Sequence, residues 1–544
     1  MRNSKLKLLV LLLVCVLGVA AQGQPAATQF QITFPASVHA GPVTGRVFVI
    51  LARQERREPR LQVGWWMQQT PFFGADVSQM QPGQAAVIDA RTLGFPPKSL
   101  KDVPAGDYYV QALMNIYTEF HRADGHTIWA HMDQWEGQQF NISPGNLFSE
   151  VRKVHLDPAA GYEVKLELTK VIPPVNVPPD TRHVKRIKFE SKVLSKWWGH
   201  AMYLGATVLL PKDYDQHPNR RYPVIYVQNH FSLRAPFGFR EEGQEQDGDH
   251  GERAFSRAWA ADDFPRMIAV TFQHPTPFFD DSYAVNSANQ GPYGDAIMQE
   301  LIPYLEEHFR ILRQPYARVL TGGSTGGWES LALQVFHPDF FGGAWTFFPD
   351  PIDFRRYQLV NIYEDESAFE APGFTYMVPE RPMMRTVEGQ VTMTVRQMSQ
   401  LEEVLGSHGR SGQQYEEWEA AYGPAGSDGY PRPLWDKLTG KIDREVAFYM
   451  RDHGFDLDHY LQKNWARIGP QLVGKLHLYC GDMDNFYLNL AVYLAEDFLK
   501  DTSNPYYAGS FAYGRPMKGH GWTPMSSAEL VKVMDKQVEE NAPK

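Results

Sequence analysis

Two cysteines among 544 residues leave almost no room for a disulfide framework. Cys15 lies in a leader-like segment, so a processed chain keeps only Cys480 and no intrachain disulfide can form. Metal-site spacing is missing as well. There is no H-E-x-x-H and no cysteine pair, and neither a metal nor another cofactor is expected. Basic residues are in deficit, 53 against 63 acidic, for a formal charge of −10. That balance disfavours nucleic acid and anionic membrane surfaces as partners. The apolar run Leu8 to Val19 falls short of the roughly 20 residues that a membrane span requires. It follows Arg2, Lys5 and Lys7 and ends in Ala20-Ala21-Gln22, so residues 1–21 read as a signal peptide. A secreted or periplasmic protein is implied, with no stable membrane insertion after cleavage. Val14 before Cys15 argues against lipid attachment, and losing the three basic residues takes the charge from −10 to −13.

Apolar and aromatic residues are plentiful, at 43% and 13%, as in well-packed globular domains, and the chain is too long for one compact core. Over residues 27–172, Tyr108, Val110, Ala112, Met114 and Ile116 occupy every second position, and Val47 to Leu51 makes a further strand. Turn signals at Pro104-Ala105-Gly106-Asp107 and Ala123-Asp124-Gly125 complete the pattern of an all-β sandwich. Its tryptophans Trp65, Trp66, Trp129 and Trp135 suit core filling, the plainer reading, or stacking on sugar rings. Its loops could also wall a neighbouring site. A proline-rich linker, 173–182, leads into a larger region, 183–540.

The most informative residues of that region are Gly322-Gly323-Ser324-Thr325-Gly326. An apolar run, Ala317 to Leu320, precedes them. Trp328, Leu331, Ala332 and Val335 follow at the spacing of a helix packed on one face. Strand, glycine-flanked turn and helix make a nucleophile elbow, with the serine hydroxyl exposed at a helix N-terminus. A serine needs a base to take its proton, and an imidazole base needs a carboxylate to hold its tautomer. Downstream, Lys475 to Cys480 reads as a buried strand running into Gly481-Asp482-Met483-Asp484-Asn485. Asp482 and Asp484 both qualify as the acid, with Asp484 preferred. Lys518-Gly519-His520-Gly521-Trp522 then places His520 in a glycine-flanked loop. It is preferred over His337 in a turn, His453 and His459 flanking a helical segment, His477 inside the strand, and His408. The order Ser, Asp, His is that of doubly wound hydrolases. Thr325 and the loop after Tyr222 to Val227, at His230 or Phe231, are the expected oxyanion donors. Asn229, Tyr293, Trp328 and Trp522 are candidate pocket residues.

Thr207 to Asp215 followed by Tyr222-Pro223-Val224-Ile225-Tyr226, Glu300 to Leu305, and His337-Pro338-Asp339-Phe340-Phe341-Gly342-Gly343-Ala344 resemble the putative esterase family of α/β hydrolases, over roughly residues 185 to 540. That family includes feruloyl esterases, carbohydrate acetylesterases and S-formylglutathione hydrolase. The resemblance implies a doubly wound α/β-hydrolase domain and a serine esterase, with Ser324, Asp484 and His520 as its triad. Two departures stand out: Asn229-His230 replaces the usual His-Gly or Asp-Gly, and Thr325 the usual Met. The stretch of about 360–470 interrupts the strand–helix alternation. Its helical periodicity at Val395 to Leu405, around Tyr415 to Tyr422 and at Asp443 to His453 suggests a helical cap insertion. Tyr376, Met377, Met383 and Met384 could line a pocket beneath it or pack the cap. The acidic loop Glu241 to Glu252 lacks the spaced ligands of a calcium site. A small-molecule or carbohydrate ester is the expected substrate. An acyltransferase, a peptidase or a non-catalytic binding protein are the alternatives.

Overall fold

The computed structural model describes residues 27–543 apart from 65, 67, 243–249, 372 and 374–379. The expected signal peptide, Trp65, Tyr376 and Met377 lie outside the described residues. Eight strands build the central sheet, in the spatial order Val184–Glu190, Tyr203–Leu209, Ile268–Gln273, Val224–Gln228, Arg318–Gly323, Gly343–Phe347, Leu476–Gly481 and Ser510–Gly514. The first two pairings are antiparallel and the rest parallel. Helices cover both faces, so the inner strands carry no alternation; Ile268–Gln273 and Gly343–Phe347 are buried at every residue. The elbow strand Arg318–Gly323 feeds the elbow helix Thr325–Phe336, in which every residue from Thr325 to Val335 is buried.

That helix packs on the sheet on one side and is covered by the insertion on the other. Helices Val395–Leu405, Gln414–Tyr422, Arg444–Asp452 and Leu457–Leu472 lie between the Gly343–Phe347 and Leu476–Gly481 strands in sequence. Each starts where the chain supplies the missing acceptors; for Gln414–Tyr422 it is Glu402 Oε1, which accepts from Tyr415 N at 2.8 Å. Thr394 and Gln397 form a reciprocal capping box, and Asp443 and Asp456 accept from the first-turn N–H groups of their helices. The last of these helices packs on the elbow helix.

The N-terminal region holds a nine-stranded sheet, ordered Ala86–Asp89, Thr28–Thr33, Tyr162–Val171, Leu147–Ser149, Gly106–Ile116, Val43–Ala52, Phe72–Met80 and Gly94–Phe95, with Arg152–Leu156 paired to Gly106–Ile116, and a two-stranded sheet of Thr118–His121 and Thr127–Ala130. Phe30, Ile32, Val47, Val49, Leu51, Val110, Ala112, Met114, Val164 and Leu166 share one core within the N-terminal region. The other face of the larger sheet is not solvated. Phe48, Ile50 and Phe72 join a second core with Leu401, Val404 and Leu405 of the insertion. The expected alternation fails in Val43–Ala52 for this reason: eight consecutive residues from Gly45 are buried, because both faces are covered. Arg46 reinforces the contact. Its Nε donates to Val404 O at 2.9 Å and its Nη2 to Glu403 O at 2.8 Å, at the C-terminal end of helix Val395–Leu405.

Candidate active site

Parallel strands present their C-terminal ends to one edge of the sheet, and the candidate groups gather there. Ser324 follows the elbow strand with φ 58° and ψ −124°, a conformation that costs roughly 1–3 kcal/mol for a residue with a Cβ. The glycines serve close approach. A Cβ on Gly326 would lie 2.1 Å from Gln228 O, and one on Gly322 would lie 2.1 Å from Gly326 O. The strain is therefore carried by the serine itself, and the bare Cα atoms let helix and strand touch beside it.

Asp484 is wholly buried beyond the Leu476–Gly481 strand. Its Oδ1 accepts from the N–H groups of Phe486 at 2.9 Å and Leu488 at 3.2 Å, and its Oδ2 accepts from His520 Nδ1 at 2.8 Å. That bond fixes the tautomer, leaving Nε2 as the basic nitrogen. The His520 backbone N–H donates to Asn485 Oδ1 at 2.8 Å, and its ring lies edge-on to Phe348 and Phe486, at 4.6 and 4.9 Å between centroids. Asp482 instead accepts from Lys518 N at 3.0 Å and so braces the loop that carries His520.

The serine hydroxyl donates to a third carboxyl, Asp350 Oδ1, at 3.4 Å. Among the described residues it makes no hydrogen bond to His520. Asp350 follows the Gly343–Phe347 strand and is almost fully buried. Its Oδ2 accepts from Tyr283 OH at 2.5 Å, Thr325 Oγ1 at 3.0 Å, Gln414 Nε2 at 3.2 Å and Trp418 Nε1 at 3.4 Å. Burial raises its pKa above the ordinary carboxylate value, against the hydrogen bond from Tyr283 and the charge of His230. None of Asp350, Tyr283 or Gln414 was identified from sequence. The one available signal was that Asp350 stands at the C-terminal end of a sheet strand.

The expected oxyanion and pocket residues divide. Asn229 and Ser324 line one cleft of about 530 Å³, together with Phe237, Phe348 and Met525. His230 is turned away from the donor role: its N–H is given to Asn229 Oδ1 at 2.9 Å, and its Nδ1 pairs with Asp280 at 3.1 Å. The Phe231 ring packs edge-on against Trp135 at 5.3 Å. Tyr293 is not a pocket residue: it is fully buried, with its hydroxyl donated to Pro275 O at 2.7 Å. Trp328 is not either, because it is buried against Tyr283 and Tyr422 beneath the insertion. Trp522 packs against Gly514, leaving its neighbours Thr523 and Met525 to line the cleft. Met383 is buried in the core.

Among the described residues, two sets of side chains could in principle hold a cation: His230 with Asp280 and Asp281, and His274 with Asp281 and Glu329, the ligand atoms of each set lying within 4.8 Å of one another. The bonding argues against both. His274 Nδ1 accepts the Ser282 N–H at 2.9 Å, so its Nε2 carries the proton and offers no lone pair. His230 Nδ1 is occupied by Asp280. Glu329 is wholly buried, and burial and the adjacent Asp281 raise its pKa well above the ordinary value, so the pair can share a proton without a metal.

A mostly parallel eight-stranded sheet with a serine elbow at the C-terminal end of its fifth strand in spatial order defines the α/β-hydrolase class. Within it, residues 202–353 match the family model described as "Putative esterase". The matched segment runs from the second sheet strand past the elbow and includes Asp350, and the protein is a carboxylic ester hydrolase. Solved structures similar to this chain include one called "ferulic acid esterase", at 15% identity over 66% of this chain and 98% of the other, with a TM-score of 0.37. An S-formylglutathione hydrolase from Agrobacterium tumefaciens is 12% identical over 66% and 93%, with a TM-score of 0.31. A ferulic acid esterase from Anaeromyces mucronatus is 16% identical over 65% and 90%, with a TM-score of 0.28.

Proposed function

We propose that the protein is an exported serine carboxylesterase working through an acyl-enzyme. The observation that carries this reading is the His520–Asp484 hydrogen bond of 2.8 Å on the same sheet edge as the strained Ser324. The hydroxyl leaves Asp350 by rotation about χ1 and gives its proton to His520 Nε2 as Oγ attacks the ester carbonyl carbon. Asp484 holds the imidazolium through Nδ1. The carbonyl oxygen becomes the oxyanion and accepts from the Thr325 N–H and from the loop after Gln228. In that loop Asn229 is the better donor. Its backbone nitrogen lies against the elbow, 2.8 Å from a Cβ placed on Gly326, whereas the His230 N–H is already engaged. Collapse breaks the ester C–O bond, and the leaving alkoxide takes the proton from His520. Water, deprotonated by the same imidazole, then releases the acid and restores Ser324.

The substrate we assign is an acyl ester of a carbohydrate. The leader-like N-terminal sequence supports export, and the aromatic cleft beside Ser324 suits an acyl or aryl group. The test is hydrolysis of short-chain and hydroxycinnamoyl esters by wild type and Ser324→Ala. The variant is expected to lose on the order of 10⁴-fold or more in kcat with its fold intact. Equal rates in both proteins would refute the assignment of the nucleophile.

A further inference from the structure

A second cavity, of about 420 Å³, lies beside the reactive centre and is walled by three separate parts of the chain. Trp66, Gln139 and Asn141 come from the N-terminal region, His230, Phe279 and Asp280 from the hydrolase domain, and Ser411 to Gln414 from the insertion. Two routes connect it to the chemistry. Gln414, on its wall, reaches Asp350, which is itself 3.4 Å from Ser324 Oγ. Trp66 packs edge-on against Phe486 at 5.1 Å, and Phe486 packs edge-on against His520 at 4.9 Å.

The chemistry of the lining selects a ligand class. His230 and Asp280 pair with each other on the inner wall, and the exposed Arg57 also lines the cavity. Carboxamides dominate the polar surface. Asn141 Nδ2 is spent on Val63 O at 2.8 Å and Gln413 Nε2 on Gly412 O at 3.0 Å. Their side-chain carbonyl oxygens accept no hydrogen bond among the described residues and are left for hydroxyl donors. Trp66 and Phe279 add apolar surface between these acceptors. Apolar faces with a few placed carboxamide acceptors, and a guanidinium that can donate to hydroxyls, fit a sugar ring.

We infer that this cavity binds the alcohol half of the ester, a sugar ring, and that the N-terminal domain is thereby part of the active site. The inference rests on the esterase reading above and extends it: the acyl group occupies the cleft lined by Phe237 and Phe348, and the sugar occupies the cavity that Trp66 and Asn141 help to build.

Gln139 is exposed at the cavity and has no part in the catalytic network, so Gln139→Trp fills the space without disturbing the core. Gln413→Ala removes one acceptor and is the gentler variant. Two esters of the same acid are compared, one of methanol and one of a monosaccharide. For both variants kcat/KM on the sugar ester is expected to fall about tenfold or more through KM, while the methyl ester changes less than about twofold. A parallel fall on both esters, or no fall on the sugar ester, overturns the inference. Calorimetric titration of the sugar ester into Ser324→Ala separates the two layers of the argument. Binding that weakens about tenfold on adding Gln139→Trp supports the cavity even where turnover is absent, and binding unchanged by it overturns the cavity assignment.

Discussion

Asp350 is the residue whose role most needs explaining, because a buried carboxyl beside a nucleophilic hydroxyl competes with the base for it. Its partners define a structural duty. Tyr283 OH, Thr325 Oγ1 and Trp418 Nε1 all donate to one oxygen, from a loop, the elbow helix and the insertion. Removing that oxygen orphans several buried donors at about 1–3 kcal/mol each, so Asp350→Ala is expected to lower unfolding stability by roughly 3 kcal/mol or more. Asp350→Asn, which keeps one acceptor, is expected to lose less; equal urea midpoints for wild type and Asp350→Ala would contradict the network. At this scale sequence gave partial access. Ser324, Asp484 and His520 announce themselves by local surroundings: glycines about a serine, a carboxylate at a strand's end, a histidine in a glycine-flanked loop. Asp350, Tyr283 and Gln414 meet across separations of 64 to 131 residues, with no motif at any of the three. Trp328 was misread for a related cause. Its helix shows the right period, but the insertion covers the outer face, so periodicity no longer tells core from pocket.

At the scale of elements, the insertion is held by a charge cluster. Lys437 Nζ lies 3.1 Å from Glu402 of helix Val395–Leu405 and 3.1 Å from Glu419 of helix Gln414–Tyr422, all buried. One ammonium cannot neutralise two carboxylates. Burial therefore lifts Glu402 to about 8 and Glu419 to about 7 against the pull of Lys437. Both values exceed the ordinary 4.5, so the folded chain keeps protons that the unfolded chain releases. This contribution is complete at pH below the ordinary value and is lost as pH rises towards 8. Lys437→Met strands both glutamates and is expected to cost about 3–5 kcal/mol at pH 8. The loss should shrink at pH 5, where both glutamates can hold protons; a cost independent of pH, measured by urea unfolding, would contradict the cluster. The helices themselves were visible in sequence, as Val395–Leu405 shows, because capping and period are local. The Leu457–Leu472 helix was missed: Gly469 and Pro470 inside it break the expected signal.

For the whole molecule, the N-terminal sheet keeps one core of its own but shares a second with the hydrolase domain. One core runs from Phe48 and Ile50 through Leu401 and Leu405 to Trp328 and Leu331 of the elbow helix. Elements sharing a core unfold together, so calorimetry is expected to give a single main transition for the chain. Two well-separated transitions would show that the regions are coupled only by surface contact. Sequence alone marked a boundary at the proline-rich stretch 173–182 but could not reveal this coupling. The second face of Val43–Ala52 is buried by residues some 350 positions later, through contacts such as Arg46 to Val404.

The central claim, an activated Ser324 served by His520, is tested most directly by covalent labelling. Wild type and His520→Ala would be treated with a fluorophosphonate, digested and mapped by mass spectrometry. The account predicts one adduct on the peptide containing Ser324, formed on the order of 10³-fold more slowly in His520→Ala. An adduct on another residue, or equal labelling rates in the two proteins, would contradict it.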